Sequence, residues 1–196
     1  GTPGISDPGE ELTRMCYEAG ISVYAIPGPA AVITAVTSSG LPCRRFAFEA
    51  FLPRDKKEKK RILEELKSES RTMVIYEAPH RLRQTLADLA EALGPERKLT
   101  VARELTKKHE EKARMTLGQS LDYYRQREPR GEYVLVIEGK SWEETDSEDR
   151  ARWEEMDLDS HMQIYLDQGL DRKEAMKAVA RDRGIPKREV YAALLK

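Results

Sequence analysis

The chain has 196 residues, 39% hydrophobic and 35% charged, with a formal net charge of −1, a length that suits one ordinary domain plus a small appendage. No apolar run approaches the roughly 20 residues of a membrane span, so a membrane-spanning class is excluded and a cytoplasmic globular protein is expected. Cys16 and Cys43 are the only cysteines and sit in apolar settings, so two buried thiols are expected and no metal site can be assembled from them.

The opening run Gly1-Thr2-Pro3-Gly4-Ile5-Ser6-Asp7-Pro8-Gly9 is a Gly/Pro loop leading into a helix. Ser6 and Asp7 are candidate N-caps, Glu10 and Glu11 place negative charge on the positive end of the helix dipole, and Leu12, Met15, Cys16 and Ala19 recur at helical spacing up to Gly20. A loop of this kind joins a strand end to a helix beside a ligand crevice in α/β sheets. No strand precedes it, so we expect a fragment whose first domain lacks its leading part.

Ile21 to Ile26 is a short β-rich run. Pro27-Gly28-Pro29 then breaks the chain before an apolar helix carrying Val32, Ile33, Ala35 and Val36. A strand and helix rhythm follows: Phe46 to Phe51 as strand, Asp55 to Ser68 as helix, Thr72 to Tyr76 as strand, and Pro79 to Leu93 as helix with Leu82, Leu86, Leu89 and Leu93 on one stripe. Lys98 to Ala102, Ala113 to Leu117 and Glu132 to Ile137 are further strands, and Gln119 to Arg127 is a helix. Met73 to Tyr76 and Tyr133 to Ile137 are apolar on both faces, as central strands covered by helices must be.

Charge is unevenly spread. Arg54 to Arg61 holds six basic and two acidic residues, Asp171 to Arg188 seven and three, and Glu138 to Asp159 ten acidic against three basic. The acidic stretch lacks periodicity and reads as an exposed linker. Beyond it only helices follow, marked by Leu158, Met162, Tyr165 and Leu166, by Ala175, Met176, Val179 and Ala180, and by Val190, Tyr191, Leu194 and Leu195, with Gly184-Ile185-Pro186 as the last turn. The expected class is α/β: a remnant of a first α/β domain (1–42), a second α/β domain with a mixed sheet (43–140), an acidic linker (141–156) and a small three-helix unit of helix-turn-helix outline (157–196).

Candidate site residues cluster after two strand ends, where such sheets carry their chemistry. Glu77, His80 and Arg81 follow one, and Glu104 and Lys107 the other. They also have structural readings: Glu77 and Glu104 as helix caps or partners of Arg81 and Arg103, and His80 as an N-terminal turn residue. Lys56, Lys57, Lys59, Lys60 and Arg61, with Lys187 and Arg188 at the start of the last helix, are either solvated helix faces or grips on RNA phosphates.

The motifs Gly1 to Gly9, Pro27-Gly28-Pro29-Ala30-Ala31, Phe51-Leu52-Pro53, Tyr76-Glu77-Ala78-Pro79-His80-Arg81-Leu82, Ala102 to Glu110 and Gly131-Glu132-Tyr133 stand in one order. Together they resemble the tetrapyrrole methylase superfamily, in its branch that modifies small-subunit ribosomal RNA. The resemblance covers essentially the whole chain. It implies S-adenosylmethionine-dependent methylation of a cytidine ribose 2′-hydroxyl in the decoding region, two α/β domains with the cofactor in the cleft between them, and a homodimer. Thr2, Pro3, Gly4, Ile5, Ala30 and Ala31 match segments that line that cleft, and Glu77, His80, Arg81, Glu104 and Lys107 acquire substrate-cleft roles. The family's first strand, its glycine loop and the acidic residue before Gly1 do not appear here, so the fragment itself is expected to be inactive. A small-molecule tetrapyrrole methylase and a non-enzymatic nucleic-acid-binding module are the alternatives; the basic stretches and the helical tail favour RNA over a porphyrin-like ring.

Overall fold

The computed structural model describes residues 2–194 and divides into two compact units at Lys140/Ser141. Gly1 of the opening loop and Leu195 of the expected last stripe lie outside the described residues. The first unit runs α1 (Glu10–Glu18), α2 (Ala31–Ser39), β1 (Phe46–Phe51), α3 (Lys56–Leu66), β2 (Thr72–Glu77), α4 (Pro79–Leu93), β3 (Lys98–Arg103), β4 (Glu111–Thr116), α5 (Leu117–Arg125) and β5 (Tyr133–Ile137). Local chemistry explains several boundaries. The Asp55 carboxylate accepts from the Glu58 amide to start α3, Pro79 occupies the first turn of α4, and Thr116 and Gln119 form a reciprocal capping box on α5.

The strands form one mixed sheet in the order β1-β2-β5-β3-β4. β1 and β2 are parallel across the α3 crossover, and every other pairing is antiparallel. Side chains alternate between two apolar layers. Met73, Ile75, Tyr133, Leu135 and Ile137 face a core shared with Leu66 of α3, Leu82, Leu86 and Leu89 of α4 and Tyr124 of α5. Val74, Val134 and Val136 face Val32, Ala35 and Val36 of α2. β4 is an edge strand, and its charged Lys112 and Arg114 discourage further pairing.

The first thirty residues depart from expectation. Ile21 to Ile26 is not a strand: among the described residues no neighbour pairs with it, and a strand needs one to satisfy its backbone groups. Tyr24 is 84% and Ile26 78% exposed. Helix α1 begins at Gly9 without a side-chain cap, so neither Ser6 nor Asp7 serves as one, and its Leu12 and Met15 stripe is exposed. The two thiols are not buried, Cys16 being intermediate and Cys43 exposed. Amphipathic spacing made the helix, but nothing described here covers its apolar face.

The second unit is α6 (Trp142–Glu155), α7 (Leu158–Asp167), α8 (Arg172–Arg183) and α9 (Lys187–Ala193). The stretch expected as a linker is therefore largely helical. The signal passed over is Ser141-Trp142-Glu143-Glu144, a capping box in which Ser141 and Glu144 satisfy each other's amides. Asp171 and Glu174 do the same for α8. Met162, Ala175, Val179, Ala180 and Val190 form the core. Within it His161 is 0% exposed, stacked on Trp153 with ring centroids 4.0 Å apart. Its Nδ1 accepts from Arg183 Nε at 3.2 Å, and its Nε2 lies 3.4 Å from an Asp182 carboxylate that also accepts from the Tyr165 hydroxyl.

Two predictions follow from these cores. Leu135 is fully buried in β5, so Leu135→Ala should cost roughly 3 kcal/mol in urea denaturation; a much smaller loss would mean the layer repacks. Burial, aided by Arg183 and opposed by Asp182, pushes the His161 imidazole below its ordinary value. The folded state then binds fewer protons than the unfolded one, so its stability is full above about pH 6.5 and falls as pH drops below that value towards the folded pKa. Thermal melts followed by tryptophan emission of a Trp142→Phe background, in which Trp153 is the remaining tryptophan, should show this step, and His161→Phe, which keeps a ring against Trp153, should abolish it. A step that persists in the variant overturns the assignment.

Candidate functional site

The direction of the strands assembles the site. β1, β2 and β3 point the same way, so their C-terminal ends reach one edge of the sheet, where antiparallel β5 begins: Phe51 pairs with Tyr76, Glu77 with Tyr133, and Arg103 with Tyr133. Ligand sites of α/β sheets lie at such an edge. Here it carries a cleft of ≈ 580 Å³, within the size range of small-molecule sites. One wall is Thr2, Ile5, Ser6 and Asp7 with Pro29, Ala30 and Ala31; the other is Tyr76 to His80 with Glu132 to Val134, and Phe51 closes one side. The Thr2 amide donates to Pro29 O at 3.0 Å and its hydroxyl to Gly28 O at 2.9 Å, tying the opening loop to the Pro-Gly-Pro turn.

Of the six residues matched to the cofactor side, Thr2, Ile5, Ala30 and Ala31 line this cleft, whereas Pro3 and Gly4 are exposed in the same loop and do not. Glu77 and His80 also line it. Their surroundings differ sharply. Glu77 is buried with both oxygens engaged: Oε1 accepts from the Ala78 amide at 2.8 Å and Oε2 from the Thr85 hydroxyl at 2.5 Å. Arg81 Nε lies 3.6 Å from Glu77 Oε1, while its Nη2 donates to Leu52 O at 2.7 Å, binding the exit of β1 to the start of α4. His80 is exposed.

Glu104 and Lys107 do not line the cleft themselves. They reach it through Glu132, which does. Glu104 Oε1 accepts from the Glu132 amide at 3.0 Å and from Lys107 Nζ at 3.1 Å, and Lys107 Nζ also donates to Glu132 Oε2 at 3.0 Å. The Glu132 amide and then Lys107 hold the Glu104 carboxyl below the ordinary carboxylate range, and the two carboxylates hold Lys107 above the ordinary amine value. Glu104 adopts a left-handed φ of 50°, and a Cβ on Gly131 would come 2.6 Å from its Oε1. The Gly131-Glu132-Tyr133 motif is thus explained by this close approach. Tyr76, Asp7 and Glu132 are cleft residues that spacing did not single out; only the tertiary edge brings them in.

The basic stretch on α3 divides. Lys59 donates to Asp88 of α4 at 2.5 Å and is half-buried, so it clamps two helices. Lys56, Lys57, Lys60 and Arg61 are exposed, with Arg61 3.7 Å from Glu65. Lys187 and Arg188 are exposed in the second unit. Among the described residues no group of acidic, His and Cys side chains could hold a metal ion, and no helix is long and apolar enough to cross a membrane.

Residues 1–120 match the family model of the tetrapyrrole (corrin/porphyrin) methylases. A ribosomal RNA small subunit methyltransferase I from Synechocystis sp. is 46% identical over 97% of this chain and 67% of its own length. Its Bacillus subtilis counterpart is 45% identical over 98% of this chain and 65% of its own length. The chain therefore spans about two thirds of the curated relatives it matches. Among solved structures, the methyltransferase CobJ is similar with a TM-score of 0.52 at 21% identity, covering 71% of this chain and 62% of that one, which speaks to the fold alone. On these matches the chain belongs to the tetrapyrrole (corrin/porphyrin) methylase family, in the branch of the ribosomal RNA small subunit methyltransferase I proteins.

Proposed function

We propose that the complete protein transfers a methyl group from S-adenosylmethionine to the ribose 2′-hydroxyl of a cytidine in the decoding region of small-subunit rRNA. The observation that carries this reading is the high identity to ribosomal RNA methyltransferases across both units, the helical tail included. Within it, residues 1–42 belong to the cofactor side, 43–140 to the acceptor side and 157–196 to an RNA-facing helical unit. A cytoplasmic homodimer is part of the same proposal.

The residues present suit the cofactor. Ala30 and Ala31 leave room for close backbone approach, and the Asp7 carboxylate on the cleft complements a sulfonium charge. When bound, S-adenosylmethionine supplies an electrophilic methyl on sulfur. Thr2, Ile5, Ala30 and Ala31 would hold it, with Pro3 and Gly4 shaping the loop. The chain's main contribution to an in-line displacement is to hold donor and acceptor close and aligned. His80, exposed on the cleft, is placed to take the proton of the ribose hydroxyl. Glu77 and Arg81 position α4, and Glu104 and Lys107 position Glu132. The exposed Lys56, Lys57, Lys60 and Arg61, with Lys187 and Arg188, would meet phosphates; Lys59 orients that helix. These basic groups favour RNA over a porphyrin-like ring as acceptor.

Incubating the complete gene product with methyl-labelled cofactor and small subunits from cells lacking the gene should place label on one ribose, mapped by mass spectrometry. Label on a base, or none, would overturn the reading. His80→Ala should lower turnover severely while leaving the melting temperature unchanged. Glu77→Ala should instead cost about 2 kcal/mol of stability, because it strands the Ala78 amide and the Thr85 hydroxyl; equal turnover in His80→Ala and parent removes His80 from the chemistry. The double change Lys57→Glu/Lys60→Glu should weaken subunit binding and flatten its salt dependence, since fewer counterions are released. An unchanged salt slope in filter binding would leave α3 as a solvated surface.

A further inference from the structure

Helix α2 opens onto the cleft with no cap of its own. A helix leaves its first amides without intrahelical partners, and an N-cap Ser, Thr, Asp or Asn ordinarily supplies an oxygen to one of them. Asp55, Thr116, Ser141, Asp157 and Asp171 do this for α3, α5, α6, α7 and α8. The α2 N-cap is Ala30, which has no side-chain oxygen to offer. Its extended φ of −135° and ψ of 129° are nevertheless those of an ordinary N-cap. The missing acceptor comes from 44 residues away: the Val32 amide donates to the Tyr76 hydroxyl at 2.8 Å.

The Tyr76 ring is fixed for this task. Phe48 and Phe51 both meet it edge-on, with centroids at 4.9 and 5.7 Å. Three residues apart on a regular strand, they would lie on opposite faces of the sheet. The register shift between Phe48 and Ala50, with Ala50 at a φ of 50°, turns both towards Tyr76. Ala30, Ala31 and Tyr76 all line the cleft, and a small N-cap leaves its wall open where a Ser or Asp would intrude. Burial and the nearby Asp7 carboxylate also push the phenol up, against the pull of the Val32 amide.

We propose that Tyr76 is a positioning residue that caps α2 from across the cleft, so that one hydroxyl sets the spacing between the Pro29-Ala30-Ala31 wall and the Glu77-to-His80 wall. The assignment rests on the methyltransferase reading above for its consequence, which is cofactor affinity. Tyr76→Phe keeps the ring against Phe48 and Phe51 and removes only the acceptor.

In the complete gene product Tyr76→Phe should raise the KM for S-adenosylmethionine about fivefold, the equivalent of one lost cap, while the KM for the small subunit stays unchanged. Hydrogen exchange at the Val32 amide should accelerate by a similar factor without cofactor. Adding Ala30→Ser, which supplies a side-chain oxygen from the usual position, should restore slow exchange at the first turn of α2. Unchanged exchange and KM in Tyr76→Phe overturn the proposal. A raised KM with unchanged exchange at Val32 also overturns it, because the hydroxyl would then be touching ligand rather than holding the wall. If the parent protein binds no S-adenosylmethionine, the functional reading fails, and exchange at Val32 still decides the cap.

Discussion

β2 and β5 are buried on both faces, so neither strand has water to satisfy its backbone and each depends on the antiparallel ladder that joins Met73 to Ile137 and Glu77 to Tyr133. That ladder sets the direction of everything else in the first unit. With β5 antiparallel to β2 and to β3, the ends of β2 and β3 and the start of β5 fall on one edge. The parallel crossover through α3 adds the end of β1. A cleft forms there because the chain leaves and enters the sheet at this edge five times, at the ends of β1, β2 and β3 and the starts of β4 and β5, and each passage is a loop or a helix terminus.

Charge at that edge is mostly committed to holding the loops in place. Arg81 ties β1 to α4, Glu77 satisfies the entry of α4, and the Glu104, Lys107 and Glu132 cluster joins the exits of β3 and the entrance of β5. Burial varies among such ties: Glu77 has both oxygens engaged and no exposure, whereas Lys107 and Glu132 are exposed and tied to each other. Backbone strain agrees, since Ala50 and Glu104 take left-handed conformations beside Phe51 and Glu132, which border the cleft.

In the second unit, helix termini carry much of the order. Capping boxes at Ser141 and Asp171 and a cap at Asp157 start three of its helices, and small Ala175, Ala178 and Ala180 let α8 sit close to its neighbours. His161 is the polar exception in this core, kept by its stack on Trp153 and its hydrogen bond from Arg183, with the Asp182 carboxylate 3.4 Å from its Nε2.

Sequence by itself determined the elements whose signals are local or periodic. The Leu82, Leu86 and Leu89 stripe placed α4, Asp55 placed the start of α3, and the doubly apolar runs at Met73 and Tyr133 identified the central strands. Several of the family motifs lie at the edge of the sheet that carries the cleft. Tertiary structure decided what depends on a partner distant in the chain. Among the described residues, Ile21 to Ile26 has strand composition and no strand beside it, and the α1 stripe has helical spacing and no surface against it, so neither is buried. Glu77 and His80 look alike as residues after a strand, and only their neighbours separate a buried tie from an exposed cleft side chain. The cap on α2 could not be read from Ala30, because its oxygen belongs to Tyr76, and no local pattern records a hydrogen bond between a helix amide and a strand side chain 44 residues away.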